Sequence, residues 1–123
     1  MRVMVMVKGT KDSEAGMLPT KELLEAMGAY NQKLIAAGIM KDGAGLKPTA
    51  KGARVHFSGA DRSVSNGPFG GKESDILSGF WIWEVKSLDE AIEWAKKCPN
   101  PMPGPSDLEI RPFYEMEDFA AIA

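Results

Sequence analysis

The chain has 123 residues, of which 44% are hydrophobic and 26% charged, and its formal net charge is −2. A chain of this length can bury its own core, so residues 1–123 are predicted to form one domain. No basic block suggests a nucleic-acid partner, and no apolar run approaches the roughly 20 residues that a membrane helix needs. Cys98 is the single cysteine, which excludes an intrachain disulfide and favours a cytoplasmic protein.

The chain is predicted to begin with a strand followed by a helix. Val3–Val7 is a continuous apolar pentad rich in β-branched residues, which is typical of a strand covered on both faces. Lys8–Pro19 is polar and is predicted as a loop that is either solvated or lines a cleft. A helix is predicted from about Thr20 to Ala37, because apolar residues recur at helical spacing between a threonine N-cap and a following glycine.

A connection and a hairpin are predicted next. Ile39–Gly52 contains three glycines and a proline without periodicity, and it is predicted as an extended connection. Ala53–Phe57 and Arg62–Ser65 each alternate between apolar or small and polar residues. Because Ser58–Asp61 between them has the composition of a turn, the three segments predict a β-hairpin.

The run from Asn66 to Val85 is the most informative stretch of the sequence. Asn66-Gly67-Pro68 is a turn signal, and a polar, glycine-rich loop follows it. Gly79–Val85 has the aromatic and β-branched composition of a strand. By alternation, one face of this strand carries Phe80, Ile82 and Glu84, and the other carries Trp81, Trp83 and Val85. Large apolar side chains therefore lie on both faces, which predicts a central strand that is covered on both sides.

The chain is predicted to close with a helix and a strand. Ser87 is a helix N-cap, and Pro99 ends the helix that it begins. Leu108–Phe113 alternates as a final strand, in which Pro112 indicates an edge position or a bulge because proline cannot donate a ladder hydrogen bond. About residues 115–123 are predicted as a C-terminal tail.

The element order strand, helix, hairpin, strand, helix, strand predicts an α+β fold. It is the split βαβ, ferredoxin-like pattern with an added hairpin strand, in which two helices cover one face of an antiparallel sheet. The two doubly apolar strands require cover on both faces. A second copy of the chain is the economical cover, so we expect a homodimer whose sheets face each other as a dimeric α+β barrel.

Several segments together resemble the DGPF, or YCII-related, domain family. They are Asn66-Gly67-Pro68-Phe69, Gly79-Phe80-Trp81-Ile82-Trp83, Leu88–Cys98 and Glu109-Ile110-Arg111-Pro112. The resemblance spans nearly the whole chain and implies a dimeric α+β barrel built on a ferredoxin-like protomer. Its functional implications range from small enzymes to accessory proteins associated with sigma factors. Asn66 stands here in place of the aspartate that names the family.

His56 is the single histidine and the predicted acid/base residue. Histidine is the side-chain type that changes charge near neutral pH. If Val55 and Phe57 pack under the helices, alternation points His56 and Arg54 toward the barrel interior. There His56 would serve as a general base and Arg54 would hold a substrate carboxylate. The alternative is a surface strand end with two solvated polar residues.

The remaining candidate ligand-binding residues are carboxylates, the loop after the hairpin and one tryptophan. Only one histidine and one cysteine are present, and no Walker or dinucleotide motif occurs, so no metal and no cofactor are predicted. The candidates are Asp42, Asn66, Phe69, Lys72, Glu73, Trp83 and Glu84.

Two functions remain open at this point. The first is an enzyme acting on a small molecule in the barrel cleft, with His56 as acid/base and the Asn66–Asp75 loop as a lid. The second is a non-catalytic dimer that binds a metabolite or a protein partner. No nucleic acid and no membrane are predicted as partners, and the sequence identifies neither a substrate nor a reaction.

Overall fold

The computed structural model describes residues 1–122 as two antiparallel sheets and a set of helices. The strands are β1 (Arg2–Lys8), β2 (Met40–Gly45), β3 (Ala53–Ser58), β4 (Asp61–Asn66), β5 (Leu77–Glu84) and β6 (Leu108–Pro112). The helices are α1 (Lys11–Glu14), α2 (Lys21–Ala36) and α3 (Leu88–Lys96), with 3-10 turns at Thr49–Lys51, Glu73–Asp75 and Met116–Phe119.

The larger sheet has the ferredoxin-like strand order β2-β5-β1-β6. All three of its strand pairs are antiparallel, α2 connects β1 to β2, and α3 connects β5 to β6. This confirms the predicted split βαβ fold. Its last strand lies at an edge, so the edge position predicted from Pro112 is also confirmed.

The core lies between this sheet and the two long helices. Val3 and Val5 on β1 and Trp83 on β5 are fully buried. They belong to one cluster with Leu34 of α2 and Ala91 of α3. Because burial of one large apolar side chain contributes about 1.5–3 kcal/mol, this layer is the main source of protomer stability.

The opposite side of the sheet carries a second apolar surface, which we call the outer face. Met4 pairs with Ile82 and Met6 with Phe80 across β1 and β5. Met4, Phe80 and Ile82 are half-buried, and none of the four belongs to the core cluster. The predicted apolar pattern on both faces is therefore present, but within the protomer α2 and α3 pack on only one of them.

The helix boundaries follow the capping signals of the sequence. The Thr20 hydroxyl accepts a hydrogen bond from the Leu23 amide at 3.1 Å, and the Ser87 hydroxyl accepts one from Glu90 at 3.2 Å. Gly38 has a φ of 74°, the left-handed conformation expected after a helix end. The predictions of both long helices are confirmed.

The prediction that Ile39–Gly52 is only a connection was wrong, because Met40–Gly45 forms the edge strand β2. Its glycines hid the strand from composition, but they are needed for packing. A β-carbon on Gly43 would lie 2.9 Å from the Cδ1 atom of Trp81 on the neighbouring strand. The segment Lys8–Pro19 likewise contains a short helix, α1, which Thr10 caps.

The hairpin forms with the predicted strands but stays apart from the larger sheet. Val55 pairs with Val64 and His56 with Ser63, and every residue of β3 and β4 is exposed. Val55 and Phe57 are 52% and 66% exposed, so the premise that they pack under the helices was wrong. The physical reason is that β3 and β4 pair only with each other and do not join the sheet that α2 and α3 cover.

The C-terminal segment follows β6 along the start of β1. The Arg2 guanidinium binds the Glu115 carboxylate at 2.9 Å and lies over the ring of Phe113. Of the predicted tail at 115–123, residues 116–119 form a 3-10 turn, and residue 123 lies outside the described residues.

We predict that Tyr30→Phe destabilises the protein and changes its response to alkali. The Tyr30 hydroxyl donates to the Trp94 carbonyl at 2.6 Å, and this carbonyl also accepts from the Lys97 amide at 3.1 Å. The substitution therefore removes one of two hydrogen bonds to the carbonyl and costs about 1 kcal/mol at neutral pH. Burial raises the pKa of Tyr30 well above that of an exposed tyrosine. Above about pH 10 the unfolded chain therefore releases a proton that the folded chain retains, and stability falls as pH rises.

Urea unfolding of wild type and Tyr30→Phe between neutral and alkaline pH measures both effects. The difference in free energy of unfolding between the two proteins is expected to shrink as the pH rises. Tyr114→Phe is the control, since Tyr114 is 76% exposed. A difference in free energy of unfolding that stays constant with pH would contradict the raised pKa of Tyr30.

Candidate ligand-binding cleft

A cleft of about 800 Å³ opens beside the edge strand of the larger sheet. Its walls come from α2, from β2 and β5, from α1 with the loop that follows it, and from the loop at residues 100–103. Clefts that bind small molecules in proteins typically have volumes of about 300–1,000 Å³. The cleft therefore has the size of a small-molecule site.

The cleft has room for a ligand because β2 has glycine at two positions, Gly43 and Gly45. Gly43 and Gly45 alternate onto the side of the sheet that Trp81 faces. Space within 4 Å of a β-carbon at Gly45 is empty. The glycines that obscured this strand in the sequence are thus the residues that leave room for a ligand.

Apolar side chains form most of the cleft wall. Leu23 and Met27 project from α2, Met40 lies at the start of β2, and Trp81 lies on β5. The Met102 sulfur accepts a hydrogen bond from the Thr10 hydroxyl at 3.4 Å, which fixes the far wall. The wall also includes Leu46, Pro19, Pro48, Pro101 and Pro103.

Asn31 is a polar residue of this wall whose amide is oriented by a core side chain. The Trp81 indole donates from Nε1 to Oδ1 of Asn31 at 2.9 Å. Because an indole N–H can only donate, the amide oxygen must face Trp81 and the amide nitrogen must point away from it. The charged residues among those lining the cleft are Asp12 and Lys47, one of each sign.

The predicted acid/base pair lies elsewhere. His56 and Arg54 are exposed on β3, and neither lines the cleft. The Arg54 guanidinium stacks on the Phe69 ring at 4.1 Å from its centroid. The protomer by itself does not enclose these side chains, so their predicted position in a barrel interior stays a prediction about the dimer.

The candidates Asp42, Glu84 and Trp83 also fall outside the cleft. Asp42 is exposed, and its Oδ1 accepts from the Gly43 amide at 2.8 Å. The Glu84 carboxylate binds the N-terminal ammonium at 2.7 Å, and this hydrogen bond lowers the pKa of Glu84. Trp83 is fully buried in the core, where its ring packs and has no route to a ligand.

Thr49 holds the Asn66-Gly67-Pro68-Phe69 motif in place through a hydrogen bond and a close backbone contact. The Thr49 hydroxyl accepts from the Phe69 amide at 3.2 Å and donates to the Glu14 carboxylate at 2.6 Å. The same carboxylate accepts from the Thr49 amide at 3.1 Å. A β-carbon on Gly67 would overlap the Thr49 carbonyl, so this position requires glycine. The motif glycine thus has a packing role.

The rest of the predicted loop site is open to solvent or structural. Asn66 and Lys72 are exposed, and neither lines the cleft. Glu73 is half-buried and begins the 3-10 turn at Glu73–Asp75. The structure brings Arg54 and Phe69 together at the base of the hairpin, and it leaves the remaining loop candidates separate from them.

Sequence reasoning missed the residues that define the cleft. Asn31 was not among the candidate residues, yet it continues the row of Leu23 and Met27 at steps of four. A polar residue in an otherwise apolar helical row was the available signal. Trp81 was assigned to the strand, but its hydrogen bond to Asn31 could not be inferred, because the two residues lie 50 positions apart in the chain.

The described residues do not favour a cysteine nucleophile or a metal site. Burial raises the pKa of the Cys98 thiol to about 11, which disfavours a nucleophilic thiolate. Residues 1–122 contain no group of three or more His, Cys, Asp or Glu side chains arranged to hold a metal ion. In the same part of the chain, no helix has the length and apolar character to cross a membrane.

The fold and the cleft define a ferredoxin-like α+β protomer with an additional hairpin and a small-molecule-sized site at its sheet edge. The model of the YCII-related domain family matches residues 1–114, so the chain belongs to this family. The resemblance inferred from the Asn66–Phe69 motif and the tryptophan strand is thereby confirmed.

A relative and a solved structure illustrate this membership. An uncharacterised protein of Rhizobium meliloti is 30% identical over 92 residues, which are 75% of this chain and 73% of that protein. The structure of 5-chloro-2-hydroxyhydroquinone dehydrochlorinase (TftG) from Burkholderia phenoliruptrix, in complex with 2,5-dihydroxybenzoquinone, has a TM-score of 0.53. It is 16% identical, covering 96% of this chain and 98% of that one, and so supports the fold alone.

We predict that Gly67→Ala destabilises the protein by about 2 kcal/mol, because the added methyl group overlaps the Thr49 carbonyl and forces the backbone apart. Hydrogen exchange should show the loss first in β3 and β4, whose base the Thr49 contacts hold. Gly70→Ala is the matched control in the same loop, since nothing lies within 4 Å of its β-carbon. Equal stability of the two variants would refute the packing role of Gly67.

Proposed function

We propose that this YCII-family protein is a cytoplasmic binding protein for a small organic metabolite, which occupies the cleft between α2 and β2. The observation that carries the proposal is the cleft of about 800 Å³, whose wall is apolar except for a few polar groups such as Asn31. Specific small-molecule sites combine a mostly apolar wall with few polar groups that orient the ligand.

The ligand named for the fold neighbour is consistent with a molecule of this size. That enzyme was solved with 2,5-dihydroxybenzoquinone, a single six-membered ring with oxygen substituents. The likeness at 16% identity transfers no substrate. It supports only the choice of small oxygenated rings as the first compounds to test.

Catalysis with His56 as the acid/base is the second candidate function. The observation that favours it is the uncovered polar side of the hairpin, where His56 and Arg54 lie on the same face of β3. Within one protomer these side chains have no enclosed site, since both are exposed. Catalysis therefore depends on a second copy enclosing them, whereas ligand binding in the cleft does not.

A homodimer is part of the proposal. Met4, Met6, Phe80 and Ile82 form an apolar outer face on the two central strands, and α2 and α3 pack on the opposite side. A two-fold axis would place this face against its own copy, since a two-fold interface uses the same patch twice. Val55, Phe57 and Val64 on the hairpin add exposed apolar area that a partner could cover.

We predict that Gly45→Leu abolishes binding of a small ring compound without unfolding the protein. The leucine side chain would project into the empty space beside β2 and fill the cleft. The probe is 4-hydroxyacetophenone, followed by amide and indole chemical-shift changes in a ¹⁵N-labelled protein. In the wild type the changes should cluster at α2, β2 and the Trp81 indole N–H.

Gly28→Leu is the matched control for this experiment. Gly28 is exposed on α2, lies outside the cleft and has nothing within 4 Å of its β-carbon. This variant should bind the probe as the wild type does. Shift changes on another surface, or equal binding by Gly45→Leu, would argue against the cleft as the site.

We predict that Ile82→Glu converts the homodimer to a monomer, because it places a charge at the centre of the outer face. Sedimentation velocity should give about twice the 13.3 kDa protomer mass for the wild type and the protomer mass itself for the variant. Leu18→Glu is the control, since Leu18 is 84% exposed and lies beside the cleft. A monomeric wild type at micromolar concentration would exclude the dimer.

A further inference from the structure

The Asn31 amide is oriented before any ligand arrives. Its oxygen accepts from the Trp81 indole, and Trp81 is itself held by Tyr30 at a centroid distance of 6.2 Å and by Trp83 at 5.9 Å. Trp81 is only 6% exposed, so its ring has little freedom to turn. The amide nitrogen thus stays pointed away from Trp81 with two protons to donate.

The Asn31 nitrogen makes no hydrogen bond to another residue in 1–122, although the residue lines the cleft. A pre-oriented donor in an apolar wall gains most from a ligand acceptor, because its orientation costs no additional ordering on binding. A ligand carbonyl oxygen would satisfy it best, because it accepts hydrogen bonds and carries no proton of its own to face the amide protons. An entirely apolar ligand would displace water from the amide without replacing its hydrogen bond.

The surrounding wall favours a flat ring over a branched aliphatic chain. Met27, Met40 and Met102 line the same cleft. Thioether sulfur makes favourable contacts with aromatic rings, and methionine adapts its shape to a flat surface. The proline-rich segment at residues 100–103 forms a stiff opposite wall.

The charges of the lining limit the ligand further. Asp12 and Lys47 offset each other, and no arginine lines the cleft. A phosphate or a polycarboxylate normally requires convergent arginine, lysine or backbone N–H groups. The lining therefore matches an uncharged molecule better than a nucleotide or another polyanion.

We infer that the ligand of this cleft is an uncharged, planar ring compound whose carbonyl oxygen accepts a hydrogen bond from the Asn31 amide nitrogen. This inference rests on the proposed function, since it assigns a chemical class to the molecule bound in the same cleft. Asn31 is the specificity-determining residue, and Trp81 is the residue that positions it.

A matched pair of probes isolates the hydrogen bond. In 4-hydroxyacetophenone the ring carries a carbonyl, and in 4-ethylphenol a methylene replaces that carbonyl with almost the same shape. Asn31→Asp keeps an oxygen to accept from Trp81 but removes the donor. We expect it to weaken 4-hydroxyacetophenone binding about tenfold and to change 4-ethylphenol binding less than about twofold, as measured by NMR titration.

Gln32→Glu is the control for the added charge, because Gln32 is exposed on α2 next to Asn31 and lies outside the cleft. It should leave both affinities unchanged. Trp81→Phe removes the indole N–H that orients the amide. That variant should lose part of the preference for the ketone even where the far-ultraviolet spectrum shows an intact fold.

The outcomes distinguish a failure of the proposed ligand class from a failure of the proposed binding function. If both probes bind in the cleft and Asn31→Asp weakens them equally, the assignment of the ligand class is overturned while the binding function stands. If the wild type binds neither probe in the cleft, and Gly45→Leu and wild type behave alike, the proposed function itself is overturned. A selective loss of the ketone in Asn31→Asp, with Gln32→Glu unaffected, supports the inference.

Discussion

The position of Trp81 on β5 connects the core, the sheet edge and the cleft. Its ring packs against Tyr30 and Trp83 on the helix-facing side of the sheet. Toward β2 its Cδ1 atom leaves no room for a β-carbon at Gly43, and its indole N–H orients the Asn31 amide. A large side chain in the middle of the sheet thus requires a glycine on its neighbour, and that glycine-containing strand leaves the cleft open. The same contact stabilises the fold and shapes the candidate site.

The family motif has a different role from the one that its position suggested. A conspicuous turn beside a predicted acid/base residue invites a catalytic interpretation, but Gly67 and Phe69 are held by Thr49. Thr49 is in turn bound by Glu14 of α1, which lies next to the cleft-lining residues Asp12 and Ser13. The motif therefore links the hairpin to one wall of the cleft, and a change at Gly67 is expected to act through packing.

The two faces of the larger sheet divide the functions of the protomer. One face, with Val3, Val5 and Trp83, is closed by α2 and α3. The other, with Met4 and Ile82, is apolar without a helix on it. Strands that are apolar on both faces are normally covered twice, which is the physical basis for the proposed dimer. The hairpin, exposed along both of its strands, is the element whose environment such a dimer would change most.

The sequence by itself determined the two long helices, the hairpin strands, the two central strands and the ferredoxin-like order, because capping residues and hydrophobic periodicity act over neighbouring positions. Tertiary structure decided the rest. Met40–Gly45 is a strand because β5 offers it a partner, and nothing in its own composition required that. His56 and Arg54 are exposed in the protomer because β3 and β4 pair only with each other and stay apart from the larger sheet. The Asn31 amide in the cleft wall is oriented by Trp81, which lies 50 positions away in the chain. A contact between residues so far apart leaves no periodic pattern in the sequence.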